Sequence, residues 1–293
     1  MEKNNQCRSP LLCERRNNIW SLQMTWTLSV LCHGGSWLIL RTYNRGKLIS
    51  SLTELTPCKY QFLTNKLKKP TDPSRQPVVL ISCGSFNPVT FMHLRMFEIC
   101  KDWCNDNGME VLGGYLSPVG DAYKKATLIP MKYRCEMLSL ALESSEWLNI
   151  DTWEARRPEF TPTRQVMDYI HRAVNEHLQL GDNVTVQLKL VAGADLLGTF
   201  NVPKLWADQD MDKITSDEYG FLCLERTGSD IEDIISKNII LTKNKLNVKT
   251  IKVSITNDVS STKMRELVKN NKSLKYLTLD PVIEYISSNN LYK

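Results

Sequence analysis

With 293 residues, 42% of them hydrophobic and 8% aromatic, the chain can bury a full core, which rules out global disorder. Its net charge of +5 is unevenly placed: residues 1–76 carry 12 Lys and Arg against 4 Asp and Glu, and the remainder 25 against 28. The near-neutral remainder argues against a nucleic-acid groove as its main business.

Residues 1–76 say least. An apolar-leaning run over 19–40 holds three of the seven tryptophans but is broken by Gln23, His33, Gly34 and Gly35. A spanning helix needs about 20 mostly apolar residues, so no stable membrane span is expected. A signal peptide would show a cleaner apolar core. The shortage of acids resembles a transit peptide, but the helical amphipathicity is weak. The segment reads as a leader of low order and a candidate targeting segment, with a linker from the basic cluster Lys66, Lys68 and Lys69 through Pro70 to Ser74.

From Pro77 the pattern turns regular: strand 78–83, helix 91–105, strand 110–115, helix 132–143 and strand 148–153. Thr161-Pro162 reads as an N-cap and first helical residue opening a helix to about 177. Strands at 187–191, 221–224 and 251–255 and helices at 260–269 and 282–288 follow. Strand alternating with helix predicts an α/β fold, a Rossmann-like doubly wound parallel sheet, in one domain over 77–293. Ligands of such sheets lie at the carboxyl ends of the strands, so the loops there carry the candidate chemistry.

The first loop, Gly84-Ser85-Phe86-Asn87-Pro88, runs through Thr90 into a helix whose first turn holds Met92 and His93. Strand, small-residue turn and helix N-terminus aim backbone N–H groups at an anion. With one glycine and no Gly-Lys-Ser/Thr, the loop is neither a dinucleotide fingerprint nor a P-loop. His93 beside such a turn can donate to a phosphate oxygen in a transition state. The second loop brings Ser117, Tyr123, Lys124 and Lys125, whose lysines read equally as phosphate clamps or solvated charges. The third has Trp153 and Glu154, then Phe160 and Thr163; an aromatic there can stack on a planar ring, although composition alone favours core packing. In the fourth, Gly193 permits close approach of a ligand, and Asp195 accepts from ribose hydroxyls or caps a helix. The fifth sets Asn257 and the hydroxyls of Ser260, Ser261 and Thr262 ahead of a helix carrying Lys263 and Arg265 in its first turn. Cations there oppose the helix dipole unless an anion lies beside them, which favours an oligophosphate site over a plain N-cap with two surface cations.

Together, Gly84-Ser85-Phe86-Asn87-Pro88 with Thr90 and His93, Ser117-Pro118-Val119 with Tyr123-Lys124-Lys125, Gly193-Ala194-Asp195, Leu205-Trp206 and Ser260-Ser261-Thr262-Lys263-Met264-Arg265 resemble the eukaryotic nicotinamide/nicotinate mononucleotide adenylyltransferases, over 77–293. Two departures stand out: the family's Asn between the threonine and the methionine is Phe91, and the tryptophan stacked on the nicotinamide corresponds to Phe160. The resemblance implies an enzyme of NAD biosynthesis that joins ATP and nicotinamide or nicotinate mononucleotide into NAD or its deamido form, releasing pyrophosphate. It implies Mg²⁺ carried mainly by the ATP phosphates, with no protein metal site. His93, Lys263 and Arg265 would be catalytic. ATP contacts are implied at Gly84, Ser85, Phe86, Met92, His93, Gly193, Asp195 and Asn257, and along Ser261, Thr262, Lys263, Met264 and Arg265. Mononucleotide contacts are implied at Ser85, Phe86, Lys125, Trp153, Phe160, Thr163, Leu205, Trp206 and Arg226. A homo-oligomer is implied on the same ground.

Two rivals share these motifs: a related nucleotidyltransferase with a different acceptor, and a chaperone-like nucleotide-binding protein on the same fold. The partners expected are small molecules rather than nucleic acid. Nine cysteines without a CxxC pair, beside four histidines, indicate reduced thiols in an intracellular protein. Nucleus, cytoplasm and mitochondrion are not separated by the sequence.

Overall fold

The computed structural model describes residues 29–33, 36–40, 60–181, 184–225, 230–255 and 257–293. The chain divides into two compact units, Met1–Tyr60 and Gln61–Lys293. In the first, β1 (Ser29–His33) and β2 (Ser36–Leu40) pair antiparallel, with Cys32 opposite Trp37. Part of the run weighed as a spanning helix is therefore a strand pair, and residues 19–28 lie outside the described ones. Among the described residues no helix is long and apolar enough to cross a membrane.

The second unit takes in residues 61–76, which composition assigns to the leader. Phe62 stacks on Tyr115 at 4.7 Å, and the Tyr115 hydroxyl donates to the Leu63 carbonyl at 2.8 Å. Lys66, read as part of a solvated linker, donates its Nζ to the Leu142 carbonyl at 2.7 Å.

Six strands form one all-parallel sheet: β3 (Gln76–Gly84), β4 (Met109–Pro118), β5 (Leu148–Ile150), β6 (Gln187–Gly193), β7 (Phe221–Leu224) and β8 (Val248–Ile251). Their order, β5-β4-β3-β6-β7-β8, is that of the doubly wound fold, and it reverses direction between β3 and β6. Val79 and Ile81 face a layer that includes Val166, Ile170 and Met211, whereas Val78 and Leu80 face one with Phe97, Met137 and Met264. A strand buried on both sides has no polar alternation, which is why residues 78–81 are apolar without a break.

The second layer is built by α1 (Phe91–Asp106), α2 (Met131–Leu142), α8 (Ser261–Lys269) and α9 (Asp280–Ser288). Gly114 brings α1 directly onto β4, since a Cβ there would lie 2.6 Å from Leu148 and 3.1 Å from Phe97. The opposite layer holds α3 (Thr163–Leu178), followed by four short helices, α4 (Ala194–Gly198), α5 (Asp208–Ile214), α6 (Ile231–Ser236) and α7 (Ile239–Lys243).

Two expectations need correction. The N-cap of α3 is Pro162, which makes no side-chain cap bond; Thr161 is buried one residue earlier. The last strand ends at Ile251 rather than starting there. Its partner β7 offers only four residues, and Leu224 opposite Ile251 is the final pair. Ile255 is 76% exposed.

Candidate active site

At the switch between β3 and β6, β3 passes into the turn formed by Ser85, Phe86, Asn87 and Pro88, whose Asn87–Pro88 peptide is cis. Phe86 has φ 44°, a left-handed conformation that costs a non-glycine residue about 1–2 kcal/mol. Its surroundings hold it there. The ring is buried, lies over Gly84, where a Cβ would come within 3.3 Å of it, and meets His93 edge-on at 5.1 Å.

Thr90 caps α1 in a reciprocal box: its hydroxyl accepts from the His93 N–H, and its own N–H donates to His93 Nδ1 at 3.0 Å. A backbone N–H can only donate, so Nδ1 is an acceptor and the neutral imidazole carries its hydrogen on Nε2. Local capping chemistry therefore sets both the orientation and the tautomer of the histidine.

The first turn of α8 is fastened to the same loop. Ser261 Oγ donates to the Pro88 carbonyl at 2.8 Å and Arg265 Nη1 to the Asn87 carbonyl at 2.8 Å. Arg265 Nη2 also donates to Thr262 Oγ1 at 3.2 Å. Neither α1 nor α8 has an acid in its first turn, where the helix dipole favours one. Two helix N-termini thus converge with no protein anion in either first turn.

They open on a cavity of about 340 Å³. The turn contributes Gly84, Ser85 and Phe86, and α1 contributes Met92 and His93. Lys125 enters from the loop after β4. Gly193 and Asp195 stand at the end of β6, with Ser261, Thr262 and Arg265 across from them on α8. These expected residues, far apart in sequence, share one wall system.

Others on the expected set lie elsewhere. On α8, a step of about 100° per residue puts Lys263 on the side away from Ser261 and Arg265, and it is exposed without lining the cavity. Met264 is fully buried in the core, so its side chain is a packing residue rather than a nucleotide contact. Asn257 spends its side-chain oxygen on the Val259 N–H at 2.8 Å. Trp153 stacks on Tyr169 at 4.4 Å and Thr163 opens α3. Phe160, 59% exposed, stacks on Tyr123 at 6.1 Å. Leu205 is exposed, and Trp206 donates Nε1 to Thr199 Oγ1 at 2.9 Å while tilting against Phe200. None of these lines the cavity, and Arg226 falls outside the described residues. Phe91 is exposed, does not line the cavity, and donates its N–H to the Leu277 carbonyl.

Two residues that hold the turn were not anticipated as site residues. Asn87 is buried, donates Nδ2 to the Thr127 carbonyl at 2.7 Å, and accepts the Tyr292 hydroxyl at 2.8 Å. Thr278, also buried, donates to the Val89 carbonyl at 3.0 Å. A local pattern flags Asn87, but nothing local flags Tyr292 or Thr278.

Beneath the cavity, Ser117 donates to the buried Glu154 carboxyl at 2.9 Å. Burial, reinforced by the charge of Asp151, raises the Glu154 pKa to about 7, against the lowering pull of the Ser117 bond. Burial, then the charges of Glu154 and Asp151, pushes the Cys83 thiol well above its usual range, so it is a neutral thiol and not a nucleophile. Between the ordinary carboxyl range and pH 7 the folded state holds a proton on Glu154 that the unfolded chain releases. Stability therefore falls as pH rises through that window, by on the order of 3 kcal/mol from this group. Glu154→Gln is expected to flatten the decline in melting temperature between pH 5 and 7; an unchanged slope would place the titration elsewhere.

Comparison with known proteins extends this geometry. The cytidylyltransferase-like family model matches residues 81–267. The chain is 39% identical over 241 residues to nicotinamide/nicotinic acid mononucleotide adenylyltransferase 1 of Saccharomyces cerevisiae, covering 80% of this chain and 60% of the relative. It is 40% identical over 231 residues to the nicotinamide/nicotinic acid mononucleotide adenylyltransferase of Oryza sativa subsp. japonica, covering 77% of this chain and 92% of the relative. Against the two yeast relatives the chain thus spans about 60% of their length. The solved structure of Plasmodium falciparum nicotinic acid mononucleotide adenylyltransferase complexed with NaAD superposes with a TM-score of 0.56 at 19% identity, covering 74% of this chain and 98% of that one. At that identity it speaks for the fold.

Proposed function

The chain belongs to the nicotinamide/nicotinic acid mononucleotide adenylyltransferases, and on that footing we propose that it joins ATP to nicotinamide or nicotinate mononucleotide, forming NAD or its deamido form and pyrophosphate. The observation that carries this is the convergence of α1 and α8, with His93, Arg265 and Lys125, on one cavity at the switch point. A 5′-phosphate oxygen of the mononucleotide attacks the α-phosphorus of ATP. The bond from that phosphorus to the bridging oxygen breaks, and pyrophosphate leaves with the electron pair. No covalent enzyme intermediate is needed, so catalysis is positioning and charge neutralisation. His93 donates Nε2–H to the phosphate chain, and the start of α8 with Arg265 holds its outer oxygens. Lys125, on the cavity wall, holds the incoming phosphate.

Among the described residues no three His, Cys, Asp or Glu side chains cluster as metal ligands, and Asp195 is the one carboxylate on the cavity wall. Such a donor set fits Mg²⁺ held chiefly on triphosphate oxygens, with Asp195 as its protein oxygen. Bound there, the ion would offset the negative charge of the phosphates. The free thiols of Cys83, Cys100, Cys104, Cys135 and Cys223 support an intracellular setting.

The test is to incubate the chain with ATP, Mg²⁺ and a panel of acceptors, following pyrophosphate and dinucleotide together. Matched NAD or deamido-NAD supports the reading. Pyrophosphate with other acceptors only would make it a different nucleotidyltransferase, and ATP binding without pyrophosphate a binding protein.

Gly193 offers a finer check. A Cβ there meets nothing within 4 Å, and φ −81° suits any residue, so neither packing nor backbone demands glycine. The vacant space would admit a ligand close to the backbone. Gly193→Ala is expected to melt like the parent yet raise the KM for ATP by about tenfold or more, as a methyl misfit in a pocket does. An unchanged KM would remove Gly193 from the nucleotide wall.

A further inference from the structure

Arg134, in the first turn of α2, is fully buried, and it faces mostly backbone rather than a carboxylate pair. Its Nε donates to the Ile129 carbonyl at 2.9 Å and its Nη1 to the Ser85 carbonyl at 3.0 Å. Its Nη2 donates to the Val119 carbonyl at 2.7 Å and to Asp121 Oδ1 at 3.2 Å. Ser85 belongs to the turn at the end of β3. Val119 and Asp121 belong to the loop that follows β4 and leads to Lys125. One guanidinium therefore bridges the two loops that bring His93 and Lys125 to the cavity.

We infer that Arg134 is a positioning residue that sets the separation of the two half-sites, and so the distance between the attacking phosphate and the α-phosphorus. This rests on the adenylyl-transfer reading above. The requirement for arginine is geometric. Its planar fork satisfies acceptors in several directions at once, whereas a lysine ammonium is a single point on a flexible stem. Two further bonds tie the same loops, Val119 N–H to the Gly84 carbonyl at 3.0 Å and Asn87 Nδ2 to the Thr127 carbonyl. Loss of the fork should therefore loosen the spacing without releasing either loop.

A residue that fixes spacing has a distinct signature. A ligand filling one half-site does not sense the distance between them, but a ligand spanning both does. The dinucleotide product spans both, and so does the transition state. Arg134→Lys in the full chain is expected to bind ATP and the mononucleotide singly within about twofold of the parent. It should bind NAD at least about tenfold more weakly and lose kcat by a similar factor, in line with the rate cost of small misplacements. Equal weakening of ATP, mononucleotide and NAD, or unchanged NAD binding, would overturn the inference. Should Arg134→Lys fail to fold, Asp121→Ala removes one of the guanidinium's bonds, together with the bond the same oxygen accepts from the Met131 N–H, at a half-exposed carboxylate. The same pattern at about threefold is then expected, and its absence overturns the inference too. A parent chain that makes no NAD would sink the adenylyl-transfer reading instead, which keeps the two failures apart.

Discussion

His93→Ala is expected to lower kcat by about two to three orders of magnitude, the usual cost of removing a preorganised donor to a charged transition state. It should also cost about 1–3 kcal/mol of stability. The Thr90 N–H, in a residue fully buried at the start of α1, would lose its Nδ1 acceptor. The two losses can be separated. Glutamine at the third helical position also completes a capping box, so His93→Gln should recover much of the stability but none of the turnover. Melting temperature and kcat at saturating substrates, measured on both variants, decide the matter. A His93→Ala enzyme within tenfold of the parent would remove the histidine from the chemistry, and recovery of both properties in His93→Gln would reduce it to a cap.

Arg265→Ala is expected to raise the KM for ATP by on the order of 100-fold, matching the loss of one charge-assisted hydrogen bond in a desolvated site. The KM for the mononucleotide should move far less. Two Arg265 donors are committed to the Asn87 carbonyl and Thr262 Oγ1. Among the described residues no carboxylate pairs with it, which leaves a cation at a helix N-terminus whose natural counter-ion is a phosphate. Arg265→Lys keeps the charge but cannot bridge the Asn87 carbonyl and a ligand together, so it should restore only part of the affinity. Initial rates with each substrate varied in turn measure this. Equal losses toward both substrates would contradict the assignment.

The sheet was legible because β3, covered on both faces, leaves an unbroken apolar run, and because the helices beside it are long enough for periodicity to speak. The helices α4 to α7 are only five to seven residues long and show too few turns to be read. The starts of α1 and α8 were legible because capping is local: Thr90 and Ser260 each bond three residues on. Applying the helical repeat to α8 would also have turned Lys263 outward and Met264 inward. Arg134 and Tyr292 had no such signal. The turn residues they hold, Ser85 and Asn87, lie 49 and 205 residues away, and only the folded chain brings them together.

The turn at residues 84–88 has a consequence for how the protein is made. Arg134, Ser261, Arg265 and Tyr292 all lie downstream of the turn they hold. As the chain leaves the ribosome, β3 and α1 emerge early and can find local partners. The turn must wait for α8 and for Tyr292 beyond α9. Such distant contacts are the slowest to form. Nascent chains should therefore pass through a stage in which the sheet is assembled but nucleotide is not yet retained, and a bound nucleotide would be a sign that synthesis has passed α9.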